Sequence, residues 1–391
     1  MDTEKKISLL ADSARFDLSC SCGAPETGRV RDPLEPLYKW IYPASLPQGG
    51  VMPVLKILMT NQCVNSCKYC FICTDKEQAR ASFEPEELSR LFMSMVKKRL
   101  VKGIFLSSAS GLNVTRTMDK IIATAEILRF RHRFRGYVHL KILPGADAGH
   151  IEKALHLADR VSVNLEAPNA KRLENIARGK NYNELLSKIK QIGNLIRSRP
   201  GRARSQTTQF VVGAARESDK ELLLTTTQLY KDYNLYRVYF SAFQPFQGTP
   251  LENLQPVPLI REHRLYQADF LLRKYGFRLD DIFFNNTGDL SLDKDPKTVW
   301  VEHHPEMFPL EVNKADLGQL IRIPGIGPLS ARKLLDLRVR SKFRRIGELR
   351  SCGIRIEQAR NYLLVSGQYS PHAEQMKFDF SPAAASSGGI Q

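Results

Sequence analysis

Short apolar runs alternate with longer amphipathic stretches along most of this chain. Runs rich in branched and aromatic residues predict six strands, at 54–59, 103–108, 137–143, 160–165, 207–212 and 237–242. Apolar residues with helical spacing predict helices between them, at 83–99, 118–129, 150–157, 182–196 and 220–233. Strands that alternate with helices form parallel sheets, so the sequence predicts an α/β fold, a partial (β/α)6 barrel.

One face of several predicted strands is polar. Residues two apart share a face, and the polar sets are Tyr137, His139 and Lys141; Ser162, Asn164 and Glu166; and Arg237, Tyr239 and Ser241. A closed barrel fills its interior with branched apolar side chains, so a polar wall favours an open barrel that holds ligands. His139, Lys141, Tyr239 and Ser241 are therefore candidates to face a substrate. The alternative, a solvent-facing sheet, is disfavoured because parallel sheets are covered on both faces.

The first predicted strand leads into a loop that contains three closely spaced cysteines, Cys63, Cys67 and Cys70. Thiolates three and then two residues apart can bind three irons of a 4Fe–4S cluster and leave the fourth iron open. Cys73 extends the run, so tetrahedral zinc or a fully ligated cluster is an alternative. Both fit less well, because zinc sites usually place two Cys-x2-Cys pairs farther apart and the ferredoxin run has its long gap at the other end.

The net charge of the chain suggests a polyanionic partner. The 391 residues include 58 Lys and Arg against 41 Asp and Glu, a formal net charge of +17. Such an excess suits nucleic acid, although a generally basic surface would give the same number. We expect a cytoplasmic protein without membrane contact, since no apolar stretch reaches spanning length and the N-terminus lacks a signal sequence. Cysteines gathered in one loop suit a reducing compartment.

A second informative stretch lies at 312–333. Helical periodicity on both sides of Pro324-Gly325-Ile326-Gly327 predicts two helices joined by a tight turn, with glycines where another group approaches the backbone. A looser second copy follows at Phe343, Ile346, Leu349 and Gly353. The alternative is a helical hairpin used for protein contacts.

The loop Cys63-x3-Cys67-x-Tyr69-Cys70 resembles the signature of radical S-adenosylmethionine (radical SAM) enzymes. That resemblance implies a 4Fe–4S cluster held by Cys63, Cys67 and Cys70, with the methionine group of S-adenosylmethionine (SAM) on the open iron. It also implies one-electron reduction by a donor such as flavodoxin or ferredoxin, and a 5′-deoxyadenosyl radical that takes a hydrogen atom from the substrate.

The same resemblance implies a set of cofactor-binding residues. Tyr69 precedes the third cysteine, and Ser107 and Ser108 stand where the family usually has a Gly-Gly-Glu-like turn, so the usual acid is missing. Asn164 and Glu166 match positions that contact the ribose or methionine moiety. Gly213 matches the turn that packs on adenine.

The stretch 312–333 closely resembles the helix-hairpin-helix motif of DNA-binding and repair proteins. The resemblance implies that the DNA backbone is held without sequence preference. The residues implied in phosphate binding are Gly325, Gly327, Ser330, Arg332 and Lys333.

The order of motifs resembles, over nearly the full length, a group described as DNA modification or repair radical SAM proteins. Besides the two motifs, this resemblance rests on the segments DLSCSCG, GYVHLKILPGA, ADRVSVNLEAP, VVGAARESD, RVYFSAFQP, REHRLYQAD and HPEMFPLEVNKAD. We therefore expect an N-terminal extension (1–52), a radical SAM partial barrel (53–250), a helical connecting region (251–308), a small all-α helix-hairpin-helix domain (309–368) and a disordered tail (369–391).

The expected function is radical modification or repair of a DNA base or sugar. Two alternatives stay open: the same chemistry on structured RNA, and an iron–sulfur DNA-binding sensor with little catalysis, which the missing acid at Ser107 and Ser108 motivates. The sequence leaves open whether Cys20, Cys22, Cys73 or Cys352 binds metal; Cys20 and Cys22 fit auxiliary-cluster ligands, a redox pair or plain small residues.

Overall fold

The computed structural model describes residues 3–14, 40–45, 50–75, 77–198 and 201–370. These residues form two compact units. The first comprises residues up to 272 together with 278–296, and the second comprises 273–277 together with the residues from 297 onward. The segment 251–308 thus contributes to both units. Cys20 and Cys22 lie outside the described residues.

The first unit is built on a seven-stranded sheet in which strand order follows chain order. Its strands are β1 (Ile41–Ser45), β2 (Val51–Leu58), β3 (Gly103–Ser107), β4 (Tyr137–Lys141), β5 (Arg160–Ser162), β6 (Ser205–Val212) and β7 (Arg237–Ala242). Strands β2 to β7 are parallel, which confirms the expected α/β fold with a curled half-barrel sheet. Strand β1, which the sequence did not predict, pairs antiparallel with β2 at one edge. It carries Pro43, which an edge strand tolerates because proline donates no ladder hydrogen bond.

The helices of the first unit precede β1, connect successive parallel strands or follow β7. They are α1 (Thr3–Ala14), α2 (Pro85–Lys97), α3 (Val114–Glu126), α4 (Ala148–Leu157), α5 (Ala170–Ile176), α6 (Tyr182–Ser198), α7 (Asp219–Asp232) and α8 (Leu259–Lys274). Helix α3 begins four residues before the predicted start because the Asn113 side chain accepts a hydrogen bond from the Arg116 N–H. Helix α8 closes the other edge of the sheet, where the Tyr266 hydroxyl bonds both the N–H and the C=O of Phe240 in β7, at 3.0 Å each.

The pairing register puts the predicted polar positions in rows across one face of the sheet. Lys56 pairs with Phe105, and Phe105 pairs with His139. In the next row towards the carboxyl ends, Ser162 lies between Lys141 and Thr207. The opposite face carries fully buried residues such as Val138 and Leu140. The loops that follow the parallel strands meet at the carboxyl edge, where the cysteine loop lies.

The second unit contains helices α9 (Pro296–Glu302), α10 (Leu317–Arg322), α11 (Pro328–Arg340) and α12 (Ile356–Ala359). The expectation that this region is all-α is wrong. Strands β8 (Leu310–Glu311), β9 (Leu363–Val365) and β10 (Gln368–Tyr369) form a small sheet in the order β10-β9-β8. Strands of two or three residues carry no readable periodicity, and β8 and β9 are far apart in sequence. Tyr369, expected in a tail, belongs to β10, and residues 371–391 lie outside the described residues.

No helix among the described residues is both long and apolar enough to cross a membrane.

Candidate functional site

The cysteine loop starts where β2 ends and is fixed at its base by backbone hydrogen bonds. The Thr74 N–H donates to the Asn65 C=O at 3.1 Å, and the Lys68 N–H donates to the Ile176 C=O at 2.8 Å. Cys63 forms a parallel bridge with Gly111, which follows β3. The loop is therefore held between the ends of neighbouring strands, and its three cysteines are kept close together.

Arg80, which the sequence did not mark as a site residue, binds backbone carbonyls at both ends of this loop. Its guanidinium donates to the carbonyls of Asn61 (2.6 Å), Ile72 (3.0 Å) and Cys73 (2.8 Å). The side chain of Asn61 is fully buried. Its amide donates to the Ala79 C=O and accepts from the Ala81 N–H, which fixes the segment that follows the loop. The Arg80 side chain thus joins the two ends of the loop, since Asn61 precedes the cysteines and Cys73 is the last of them.

The thiols of Cys63, Cys67 and Cys70 lie close enough to influence one another's ionisation. Cys63, Cys67, Cys70 and Cys73 form no disulfide. Burial raises the pKa of Cys70 to about 12, and the nearby Cys67 adds to the increase. Burial likewise raises the pKa of Cys67, while the positive charge of Lys180 acts in the opposite direction. Buried thiols that disfavour each other's ionisation become thiolates most readily when a cation or metal centre binds them.

Beside the thiols lies a buried ion pair that joins two of the predicted cofactor residues. The Lys180 ammonium is 2.9 Å from the Glu166 carboxylate and 3.3 Å from the Tyr69 hydroxyl. The side chains of Lys180 and Glu166 are only 11% and 6% exposed. Burial lowers the pKa of Lys180, but Glu166 and the neighbouring thiols outweigh burial, so its pKa is raised and it stays protonated. Tyr69 also hydrogen-bonds Glu166, and burial is the main reason that the pKa of its phenol is raised.

Glu166 has a backbone conformation that supports this position. Its φ of 65° lies in the left-handed region, which non-glycine residues rarely adopt. The residue is held there by backbone bonds to β6: its N–H donates to the Gln209 C=O at 2.9 Å and its C=O accepts from Val211 at 2.8 Å. The carboxylate is thereby directed to Lys180 at the carboxyl edge of the sheet.

The two serines proposed to replace the family's acidic turn lie at the end of β3. Ser107 is 1% and Ser108 7% exposed, and the Ser108 hydroxyl donates to the Thr60 C=O at 3.4 Å. A third serine, Ser110, contacts the cysteine loop: its Oγ lies 3.8 Å from the Cys63 Sγ and accepts from the Asn65 amide. The sequence offered no signal for Ser110, since serine is common in turns.

The other two predicted cofactor residues lie at the same edge of the sheet. The Asn164 amide donates to Gln209 at 3.4 Å. Gly213 has φ 85°, and a Cβ there would lie 2.3 Å from a methyl group of Val257. Its N–H is bonded to the Glu217 carboxylate, so the turn after β6 has a fixed shape.

The four candidates for substrate contact differ in accessibility. His139 is fully buried and stacks on Phe105 with ring centroids 4.2 Å apart, and Tyr239 is 1% exposed with the Arg237 guanidinium 5.0 Å from its ring. Lys141 and Ser241 are half-buried. The rings of His139 and Tyr239 are packed against neighbouring side chains. Substrate contact stays a prediction for all four residues.

The second unit contains the predicted turn between helices α10 and α11. Gly325 has φ 82°, and a Cβ there would meet the Arg355 C=O at 2.6 Å. Gly327 is the residue before the first turn of α11, and Arg332 and Lys333 in that helix are exposed. The Ser330 hydroxyl donates to the Gly353 C=O at 3.0 Å, so it is engaged within the fold. Phosphate binding by these residues stays a prediction.

A comparison with known protein families gives a match within the first unit. Residues 57–226 match the family model described as the radical SAM superfamily. That segment extends from the end of β2 into α7, and it contains the cysteine loop and strands β3 to β6. These residues therefore form a radical SAM domain, whose cofactors are a 4Fe–4S cluster and SAM.

Several solved structures resemble this chain at low sequence identity. They include methylornithine synthase (PylB), with 14% identity and a TM-score of 0.46, and the hydrogenase maturase HydG from Carboxydothermus hydrogenoformans, with 13% and 0.43. The radical SAM methyltransferase TsrM from Kitasatospora setae has 13% identity and a TM-score of 0.39. These matches cover 55%, 55% and 53% of this chain and 60%, 50% and 38% of the respective structures. A comparison with curated protein sequences gave no match.

The cysteine loop fits a cluster of this kind. Three thiols in one short loop match the donors that bind iron–sulfur clusters, and the buried cation Lys180 offsets part of the negative charge that thiolates bring. Within the described residues, no group of three or more His, Cys, Asp or Glu side chains is placed to hold a metal ion. A four-iron cube spaces its cysteines farther apart than a single ion does, and cluster binding by Cys63, Cys67 and Cys70 stays a prediction.

Proposed function

We propose that this protein is a radical SAM enzyme that modifies or repairs a base or sugar of DNA, with the second unit holding the DNA backbone. When bound, the cluster and SAM supply a carbon radical that abstracts a hydrogen atom. Cys63, Cys67 and Cys70 would bind the cluster, and Tyr69, Glu166 and Lys180 would fix the loop that carries it. Lys141 and Ser241 would contact the substrate on the polar face of the sheet.

The observation that carries the DNA assignment is the turn between α10 and α11. Its glycines bring backbone N–H groups to the start of a 13-residue helix, the arrangement that favours anions. Residues 310–370 contain twelve Lys and Arg against five Asp and Glu, and several of the cations, including Arg332, Lys333 and Arg355, are exposed. Contacts of this kind hold phosphates without reading bases.

The surroundings of the turn support a rigid anion-binding element. The buried Lys297 donates to the Ile326 C=O at 2.5 Å, and the Arg355 N–H donates to the Gly325 C=O at 3.1 Å. With both carbonyls occupied, the turn has a fixed shape, and the Ile326 N–H also donates to the Ile323 C=O at 3.1 Å. The N–H groups of Gly325 and Gly327 would be the donors for a phosphate. A cytoplasmic location and a low-potential electron donor such as flavodoxin or ferredoxin complete the proposal.

An anaerobic cleavage assay tests this function. Reconstituted protein would receive dithionite and SAM, and 5′-deoxyadenosine would be quantified with duplex DNA, with structured RNA and without nucleic acid. We expect release that duplex DNA stimulates and that Cys67→Ala abolishes. Stimulation by RNA alone would favour the RNA-modifying alternative, and no cleavage under any condition would favour the sensor.

A further inference from the structure

The amino edge of the parallel sheet, opposite to the cysteine loop, carries a concentrated positive charge. The turns that precede β3, β4 and β6 meet at this edge, because parallel strands all begin on one side. Seven exposed cations in these segments define what we call the basic rim: Lys98, Arg99, Lys102, Arg131, Arg133, Arg135 and Arg204. The segments 97–102, 131–136 and 201–204 contain no Asp or Glu.

Hydrogen bonds show that the turns of the basic rim are direct neighbours. The Tyr137 N–H donates to the Lys102 C=O at 3.3 Å, which joins the turns before β3 and β4. The Arg202 guanidinium donates to the Arg135 C=O at 3.0 Å, which joins the turns before β4 and β6. The cations therefore lie on one continuous surface of the first unit.

The acidic group within this surface is already neutralised. Asp159, in the turn before β5, pairs with Arg129 at 2.8 Å and with Arg202 at 3.0 Å. Arg129 is thereby used to hold the turns together, since it also donates to the carbonyls of Phe134 and Gly136 at 2.8 Å each. The basic rim itself keeps its charge available for a partner, and clustered like charges that repel each other cost stability unless an anion binds.

Aromatic side chains are exposed beside these cations. Phe130, next to Arg131, is 73% exposed, and Tyr236, before β7, is 46% exposed with the Arg160 guanidinium 4.9 Å from its ring. Guanidinium groups bind phosphates with two parallel hydrogen bonds, and exposed aromatic faces suit nucleobases. This combination fits a nucleic acid better than it fits a single small anion.

We propose that the basic rim is a second binding surface for the sugar–phosphate backbone of the DNA substrate, separate from the turn between α10 and α11. The proposal rests on the proposed function, because it takes DNA as the polymer that reaches the enzyme. The rim lies at the edge opposite the cysteine loop, so it would hold DNA away from the reacting nucleotide. It would add affinity that depends on salt and hardly on sequence.

Neutralising the rim tests the proposal. Full-length reconstituted protein would be titrated with a duplex of about 30 base pairs at several salt concentrations between roughly 50 and 200 mM. The test variant is R131Q/R133Q/R135Q. The matched control is K153Q/K190Q/K220Q, which removes the same charge from exposed lysines of α4, α6 and α7. We expect the slope of log K against log salt to fall by about two to three in the test variant and to stay nearly unchanged in the control.

The outcomes separate this inference from the proposed function. If R332Q/K333Q in α11 weakens DNA binding while the rim variant behaves like the control, the basic rim is not a DNA surface and the proposed function stands. If the wild-type protein binds no DNA, both proposals fail. If the rim variant instead loses binding to anionic vesicles or to polyglutamate while its DNA titration is unchanged, the rim serves a membrane or an acidic protein and the DNA assignment is overturned.

Discussion

Lys180 and Glu166 form an ion pair of 2.9 Å whose two side chains are almost completely buried beside the cysteine loop. The pair connects the helix-bearing segment after β5 to the end of that strand, and through the Tyr69 hydroxyl it reaches the loop itself. Its members lie 14 residues apart, but Lys180 and Tyr69 are separated by 111 residues. The site is therefore assembled from distant segments around one buried cation.

Removing the cation should destabilise the protein even without its cofactors. Lys180→Met leaves the Glu166 carboxylate buried and unpaired, which costs about 3–5 kcal/mol in such pairs. We expect that loss in the free energy of unfolding by urea, a smaller loss in Lys180→Arg, and a double variant with Glu166→Gln that loses less than the single changes combined. The control is Lys120→Met, which breaks an exposed pair with Glu84 and should cost below about 1 kcal/mol. Equal losses in both variants would contradict the buried pair.

The cysteines should divide into two groups. Cys63→Ala, Cys67→Ala and Cys70→Ala should each abolish the visible absorbance of the reconstituted cluster and the EPR signal of its dithionite-reduced form, since each removes one thiolate ligand. Cys73→Ala and Cys352→Ala, both of buried residues, should retain the signal. Loss of the cluster in Cys73→Ala as well, with unchanged thermal unfolding, would instead support four protein ligands.

The cysteine loop could be predicted from sequence because its residues are contiguous and their spacing is chemically restrictive. The polar face of the sheet followed from strand alternation, and the pairing of Lys141, Ser162 and Thr207 in one row agrees with it. Alternation does not show how a face is filled, so the stacking of His139 on Phe105 was not foreseen.

What the sequence could not provide were contacts between distant segments. Lys180 follows α5 in a polar stretch, and nothing in its surroundings distinguishes it from a surface lysine. Arg80 is similarly unmarked, and its function depends on which carbonyls the folded loop turns towards it. Strand β8 is stabilised by pairing with β9 and by Glu311, which no local pattern reveals.

Arg80 should control how firmly the loop retains iron. Arg80→Ala removes the donors to the carbonyls of Asn61, Ile72 and Cys73, and hydrogen bonds from charged groups contribute about 1.5–3 kcal/mol each. We expect faster release of iron to a chelator and lower iron content after reconstitution. Arg80→Lys should be intermediate, because an ammonium lacks the planar fork. Arg90→Ala, a change at an exposed position of α2, serves as the control and should match the wild type.

Lys297 should act on DNA binding through the turn between α10 and α11. Its ammonium reaches the Ile326 C=O and lies 4.9 Å from the Tyr275 ring. Lys297→Met leaves that carbonyl without this donor, at a cost of about 1–3 kcal/mol, and should weaken duplex binding several-fold. Lys297→Arg should restore part of the affinity, whereas Lys314→Met, which removes an exposed charge in the same unit, should have little effect. Reduced stability with unchanged DNA affinity would exclude the turn as the binding element.

The second unit should lose stability in acid through Glu311. Burial raises the pKa of this carboxyl, but hydrogen bonds from the N–H groups of Gly367, Asn313 and Ser366 outweigh burial and lower it below its ordinary value of 4.5. A lowered pKa means that the stabilisation is complete above the ordinary value and disappears as pH falls through the folded pKa.

Trp300, buried in the second unit, can report this effect once the other tryptophan is replaced by Trp40→Phe. We expect the unfolding midpoint that Trp300 fluorescence reports to decline as pH falls below about 4.5, and Glu311→Gln to weaken that dependence while lowering the midpoint at neutral pH. Asp336→Asn, a change of an exposed carboxylate on α11, should leave the pH profile as in the wild type. The backbone bonds to Glu311 join β8 to the turn between β9 and β10, so an unchanged profile in Glu311→Gln would mean that the small sheet is held by its apolar residues alone.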